Sequence, residues 1–334
     1  MRVAINGFGR IGRSVFRILH DQHDVDVVAI NDLFDPEALA YLLKYDTVMG
    51  RFGAEVSLVG DALEINSDKV KMLAQRNPAE LPWKEMEVDV VVESTGIFRQ
   101  RAQLENHLTA GAERVILTVP AKDDIDYMVV LGVNDDGLKP EHRIVSNASC
   151  TTNCLAPMAK VLHDNFGIVE GIINTVHAYT NDQRLADVPH KDWRRSRAAA
   201  ENIIPTTTGA ARAVGKVLPE LAGLLDGIAC RVPVADGSVV DLVCELSCDV
   251  TTEQIKDAVM EASQTPRMKR ILSYSTLPIV STDIIGDPHS SIFDAPYTRV
   301  SGGRFIKTLN WYDNEWGYSN RVTDLISLFS GWKS

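Results

Sequence analysis

The 334-residue sequence is short of several things, and each shortage removes a class of function. No apolar run approaches the about 20 residues a bilayer-spanning helix requires. No leader pattern precedes the first strand-like segment, Val3-Ala4-Ile5, so a cytoplasmic location and no membrane partner are expected. Positive charge is in deficit, with 34 Lys and Arg against 45 Asp and Glu and a net charge of −11. Such a chain repels nucleic acid and anionic lipid on average, and no nucleic-acid partner is expected. Cysteine is scarce and odd in number, five in all, which argues against a disulfide ladder. Cys150 and Cys154 stand four apart, a spacing that suits one face of a helix better than a zinc knuckle. No second pair stands at ligand spacing, so no metal is expected. Internal repeats and low-complexity linkers are also missing.

What remains is a globular composition, 45% hydrophobic and 24% charged, at a length that suits two domains. The first half alternates strand and helix. Val3–Asn6, Val25–Ile30, Val88–Val92, Val115–Val119, Tyr127–Val133 and Ile144-Val145 read as strands. Ile11–Leu19 is an amphipathic helix. The Val/Ile runs are continuous rather than alternating, which indicates parallel strands buried on both faces in a doubly wound α/β sheet. The second half reads as an α+β domain with a mainly antiparallel sheet: Ile172–Tyr179, Ile228–Val234, Ser238–Leu246 and Arg304–Tyr312. A capping box at Thr251–Gln254 opens a helix through Ala262. Val322, Leu325, Ile326 and Phe329 mark a C-terminal helix. The boundary falls near Cys150. The expected domains are 1–149, completed by a helix over 315–334, and 150–314.

Gly7-Phe8-Gly9-Arg10-Ile11-Gly12 is a GxGxxG motif directly after a strand and before a helix. Gly7 allows the tight turn, Gly9 a close approach to a pyrophosphate, and Gly12 close helix–strand packing. The helix start offers free N–H groups to phosphate. The second strand ends at Asn31-Asp32, where a carboxylate suits ribose hydroxyls and repels a 2′-phosphate, favouring NAD over NADP. The alternative is a glycine-rich turn without a ligand.

Ser149-Cys150-Thr151-Thr152 follows a strand and opens a helix. A cysteine at a helix N-terminus gains a stabilised thiolate, and the same N–H groups form an oxyanion hole. Cys154, one turn deeper, reads as a packed core thiol. His177, at the end of a long strand, is either a partner for that thiol or a satisfied structural histidine. Arg231 sits in an otherwise apolar strand and needs an anion. Arg184, Lys191, Arg194, Arg195 and Arg197 form a local positive cluster that net charge conceals, and all but Arg197 also read as a solvated or intersubunit loop.

These motifs, together with AINGFGRIGR (4–13), LLKYDT (42–47), SNASCTTNCLAP (146–157), HAYTNDQ (177–183), NIIPTTTGAA (202–211), RVPV (231–234) and WYDNEWGYSNR (311–321), resemble the bacterial phosphorylating glyceraldehyde-3-phosphate dehydrogenases along essentially the whole chain. The resemblance implies a Rossmann-type first domain and NAD-dependent oxidation of glyceraldehyde 3-phosphate to 1,3-bisphosphoglycerate. Cys150 is then the nucleophile and His177 the acid/base. It implies cofactor contacts at Arg10, Ile11, Asp32, Arg76, Thr118 and Asn314, the last holding the nicotinamide amide. It also implies a substrate-phosphate site at Thr180, Asp182 and Arg231, and an inorganic-phosphate site at Ser149, Thr151, Arg197, Thr208 and Gly209. A homotetramer is implied, with 182–197 reaching a neighbouring subunit. Gly237 stands where the family more often has a bulkier residue, and Cys230 is less usual. Two rivals remain: an erythrose-4-phosphate dehydrogenase, against which the stretch after His177 speaks, and a non-catalytic NAD-binding thiol sensor.

Overall fold

The computed structural model describes residues 1–332; Lys333 and Ser334, the last of the expected C-terminal helix, lie outside the described residues. The chain forms two units. One comprises Met1–Val129, Asp136–Ala148 and the chain from Ser319 on; the other comprises Val130–Asp135 and Ser149–Tyr318.

The first unit is built on strands β1 (Arg2–Asn6), β2 (Asp26–Asn31), β3 (Val56–Val59), β4 (Ala62–Ile65), β5 (Asp68–Leu73), β6 (Val90–Glu93), β7 (Arg114–Leu117), β8 (Tyr127–Met128) and β9 (Ile144–Ser146), in the sheet order β3-β4-β5-β2-β1-β6-β7-β9-β8. From β5 to β8 every neighbouring pair is parallel. The continuous apolar runs are the cause: Val3, Ala4, Ile5, Val90, Val91 and Val92 are all buried, as covered parallel strands require. Helices α1 (Arg10–His20), α2 (Pro36–Lys44) and α3 (Arg101–Thr109) belong to this unit. Asp35 caps α2 by accepting from Glu37 N, and Pro36 supplies the preset first turn. Chain order reverses at β1, which has β2 on one side and β6 on the other. In open α/β sheets ligands bind at such a switch point, beyond the carboxyl ends of the strands.

A buried polar network stiffens that edge. Glu93, at the end of β6, accepts from Asn6 Nδ2 at 2.6 Å and Thr95 N at 2.9 Å. Trp83 Nε1 donates to His107 Nδ1 at 3.0 Å, which leaves the imidazole proton on Nε2 to meet Glu93 Oε2 at 3.0 Å.

The second unit carries β10 (Ile168–Ala178), β11 (Ile204–Thr207), β12 (Leu225–Val232), β13 (Ser238–Leu246), β14 (Leu272–Ser275), β15 (Ser291–Asp294), β16 (Arg299–Ser301) and β17 (Phe305–Tyr312). The sheet order is β11-β12-β10-β13-β17-β15-β14, with β16 on β17. β10–β12 and β14–β15 are parallel and the other pairs antiparallel. Helices α4 (Cys150–Phe166), α5 (Ala210–Val217) and α6 (Thr252–Gln264) follow the same unit, and α6 opens on the expected Thr251–Gln254 capping box. The last helix, α7 (Trp316–Gly331), begins in this unit and ends in the first, burying Val322, Leu325, Ile326 and Phe329.

Some boundaries differ from the sequence reading. Of the expected strand Tyr127–Val133 only Tyr127–Met128 pairs. The segment from Val130 joins the second unit, where Arg267 Nε donates to Gly132 O at 3.0 Å and Nη2 pairs with Asp135 at 2.9 Å. β10 starts four residues before Ile172, because Gly171 pairs beside Cys244 and Leu225 where no Cβ would fit.

Candidate active site

In the first unit the glycine-rich turn follows β1. Gly7 has φ +93° and an added Cβ would lie 2.6 Å from Thr95 N; at Gly12 it would lie 2.2 Å from Gly7 O. Both positions exclude side chains. Gly9 differs, since nothing lies within 4 Å of where its Cβ would stand. No side chain of the N-cap residue Gly9 caps the start of α1. An uncapped helix start beside a bare backbone fits a phosphate, and the residues present therefore fit a dinucleotide. Asp32, at the end of β2, accepts from Phe8 N at 2.7 Å, which ties the turn to the second strand. Arg10, the first residue of α1, pairs with Asp46. Ile11 is half-buried in the same turn. Thr118 is buried and donates to Glu93 O at 3.1 Å; Arg76 is exposed.

Ala148, the residue before the cap of α4, has φ +52°, an uncommon conformation for a residue with a Cβ. Such strain at a strand-to-helix turn is the kind that surrounding structure holds in place at functional sites. Ser149 caps the helix, its Oγ accepting from Thr152 N at 3.1 Å, and Cys150 is the first helical residue. His177 Nε2 lies 3.5 Å from Cys150 Sγ, so the structure brings together the thiol and the histidine read from sequence as its candidate partner.

The imidazole is buried near the end of β10. Its Nδ1 is 2.7 Å from Ala178 O and 2.6 Å from Arg231 Nη1. The Arg231 guanidinium also donates to Ala178 O at 2.9 Å, while its buried Nε has no partner among the described residues. No carboxylate pairs with Arg231 among the described residues, which leaves a half-buried cation in need of an anion. Burial, assisted by Arg231, lowers the His177 pKa to about 3. Burial pushes the Cys150 thiol up, while Arg231 and hydrogen bonds from Thr151 pull it back. The net direction is upward.

The residues of the expected anion sites each make contacts of their own. Thr208 Oγ1 accepts from Ala210 N at 3.2 Å at the start of α5, and the N-cap Gly209 is exposed. Thr151 is buried and its hydroxyl meets Tyr312 Oη at 2.8 Å, so the side chain expected to face phosphate is turned to the interior. Arg197 does not join the group: it is exposed and pairs with Asp187 at 2.8 Å. Arg195, read from sequence as solvated, is the better buried of the two. Its Nε donates to Thr206 Oγ1 at 2.9 Å and its Nη1 pairs with Asp182. Its charge also lowers the pKa of His177, and the Arg231 charge lowers that of Arg195. Thr180 N donates to Gln183 Oε1 at 3.3 Å in the turn after β10.

Three further residues were missed. Tyr312 is buried edge-on to His177 with ring centroids 5.8 Å apart, and its hydroxyl also meets Thr175 Oγ1 at 2.8 Å. Asp236 is wholly buried, and burial next to Asp313 raises its pKa to about 9. Ser238 donates to Asn314 Oδ1 at 2.6 Å. The period-two burial of Ile306, Thr308, Asn310 and Tyr312 along β17 was available as a signal for Tyr312. Nothing local marked the other two.

No helix among the described residues is long and apolar enough to cross a membrane, and no group of metal-binding side chains occurs among them. Residues 1–101 match the profile of the glyceraldehyde 3-phosphate dehydrogenase NAD-binding domain, and 149–314 match that of its C-terminal domain. The glyceraldehyde-3-phosphate dehydrogenase of Streptomyces coelicolor is 57% identical over 333 residues, covering 99% of this chain and 98% of the relative. Those of Geobacillus stearothermophilus and Mycobacterium leprae are each 56% identical, covering 99% and 98% of this chain and 98% of each relative. With a Rossmann-type unit, a second mixed sheet carrying Cys150 and His177, and this likeness over nearly its whole length, the chain belongs to the glyceraldehyde-3-phosphate dehydrogenase family.

Proposed function

We propose that the chain catalyses NAD-dependent oxidative phosphorylation of D-glyceraldehyde 3-phosphate to 1,3-bisphosphoglycerate through a thioester on Cys150. The observation that carries this is the 3.5 Å approach of Cys150 Sγ to His177 Nε2 at the start of α4. The domains are read as 1–149 with the 315–334 helix for the cofactor, and 150–314 for catalysis. NAD is held by Gly7, Gly9, Arg10, Ile11, Gly12, Asp32, Arg76 and Thr118, with Asn314 at the carboxamide; when bound it supplies the hydride acceptor.

His177 Nε2 takes the thiol proton as sulfur bonds to the aldehyde carbon, and returns it to the former carbonyl oxygen. The resulting hemithioacetal loses that hydroxyl proton to the same nitrogen as the hydride departs. A phosphate oxygen then attacks the thioester carbonyl, the C–S bond breaks, and the sulfur is free again. Thr180, Asp182 and Arg231 are read as the substrate-phosphate site. Ser149, Thr151, Thr208 and Gly209 are read as the inorganic-phosphate site, Thr151 through its backbone. Arg195 suits an anion better than Arg197 because it is the better buried of the two, though each already meets a carboxylate. A cytoplasmic homotetramer is part of the same reading. Its support is the apolar outer face of the second sheet, where Ile172, Ile228 and Phe305 are exposed.

The test is NADH formation from glyceraldehyde 3-phosphate and erythrose 4-phosphate, with and without phosphate, and with NADP in place of NAD. Strong phosphate dependence with the three-carbon substrate and NAD is expected. Phosphate-independent turnover of the four-carbon substrate would overturn the reading. Cys150→Ser is expected to bind NAD and not turn over.

A further inference from the structure

Ser238 opens β13 and is buried between two groups assigned to the reaction. Its Oγ accepts the Ala178 N–H at 3.0 Å and donates to Asn314 Oδ1 at 2.6 Å. A serine hydroxyl has one hydrogen. With Ala178 already donating to it, that hydrogen goes to Asn314. This decides which end of the buried Asn314 amide meets the serine: the oxygen does, and the Nδ2 amino group is directed elsewhere as a donor. Ala178 directly follows His177, and its carbonyl lies 2.7 Å from His177 Nδ1. One hydroxyl thereby joins the peptide that holds the imidazole to the amide at the end of β17.

We propose that Ser238 is a positioning residue that fixes the Asn314 amide with Nδ2 presented to the carboxamide oxygen of the nicotinamide, in register with His177. The proposal rests on the reading of Asn314 given above. Without the hydroxyl, the amide has no fixed partner for its oxygen and turns over at little cost. A flipped amide offers an acceptor where a donor is needed, and the carboxamide loses the contact that selects one face of the ring.

The experiment uses the full-length enzyme and four variants, Ser238→Ala, Ser238→Thr, Asn314→Ala and Asn314→Asp, with folding checked by thermal melts. NADH binding is titrated without substrate, because its ring carries no charge to interact with an aspartate. Ser238→Ala is expected to weaken binding about tenfold, the worth of one well-placed buried hydrogen bond. Placed on Asn314→Ala, the same change is expected to have less than about a twofold effect, since its action passes through that amide. Asn314→Asp keeps the acceptor for Ser238 but has no amino group, and is expected to bind as weakly as Asn314→Ala. With aldehyde deuterated at its reacting carbon, the parent is expected to place deuterium on one face of the reduced ring, Ser238→Ala on both, and Ser238→Thr on one again. Parental affinity in a folded Ser238→Ala, full additivity with Asn314→Ala, or parental affinity in Asn314→Asp each overturns the proposal. If Asn314→Ala itself leaves affinity and facial selectivity unchanged, the prior reading of Asn314 fails instead.

Discussion

At the scale of single residues the site is a cation placed to act on two neighbours at once. Arg231 lowers both the Cys150 and the His177 pKa, and burial acts on them in opposite directions. Replacing Arg231 with alanine is therefore expected to move both titrations upward, so that Cys150 reacts more slowly with iodoacetamide at a given pH while His177 protonates more readily. The pH dependence of alkylation and the imidazole NMR signals measure the two separately, and opposite movements would contradict this account. His177 also has a stability signature. Its folded pKa of about 3 lies below the ordinary value of 6.5, so between those limits the unfolded chain binds the proton and the folded one does not. Stability is lost as pH falls through that window, and His177→Asn is expected to flatten this part of the melting-temperature profile. Cys150 and His177 were legible because each sits at an element end that the sequence marks. The choice between Arg195 and Arg197 was not legible. The two lie two residues apart in a loop without periodicity, and contacts distant in sequence decide which turns inward, Asp187 for Arg197 and Asp182 and Thr206 for Arg195.

At the scale of elements, the turn between β12 and β13 shows what one unusual residue permits. Gly237 has φ +85°, and a Cβ there would lie 2.2 Å from Ser281 O. The glycine noted as a departure from its family is thus required by the approach of the 281–284 turn. Gly237→Ala is expected to cost about 1–3 kcal/mol, read as a lower denaturant midpoint, and an unchanged midpoint would show that the loop gives way. Next to it, Asp236 stays protonated up to about pH 9. Its ordinary value is 3.8, so across that range the folded state binds the proton and the unfolded state does not. Its contribution is lost as pH rises. Asp236→Asn keeps the shape without the titration and is expected to raise the melting temperature above pH 7 more than at pH 5. The parallel strands were readable from their unbroken apolar runs. The β3–β5 meander was not: its exposed edge residues alternate with half-buried ones, and antiparallel pairing at a sheet edge needs no apolar run.

At the scale of the whole molecule, the second sheet exposes large apolar side chains on one face. Strand register places Ile172 beside Asp226 and Val243, Asn174 beside Ile228, and Glu245 beside Phe305, all on one side. The residues that alternate with these, such as Ile173, Leu242 and Ile306, are buried on the other side. Ile172 on β10 and Phe305 on β17 are 68% and 55% exposed, with β13 between the two strands. Exposed apolar area of this kind marks an association site, and in the proposed assembly identical chains would meet through it by two-fold symmetry, each presenting the same patch. The homotetramer proposed above uses this face in one of its contacts. Light scattering is expected to give four times the 36.8 kDa chain mass. Ile172→Glu combined with Ile228→Glu adds two carboxylates per chain, four across a two-fold contact, close to Asp226 on the same face. Like charges brought together out of water are costly, so this double variant is expected to halve the mass while Cys150 keeps its alkylation rate. A parent that scatters as a single chain, or a double variant that remains tetrameric, would show that this surface has another use.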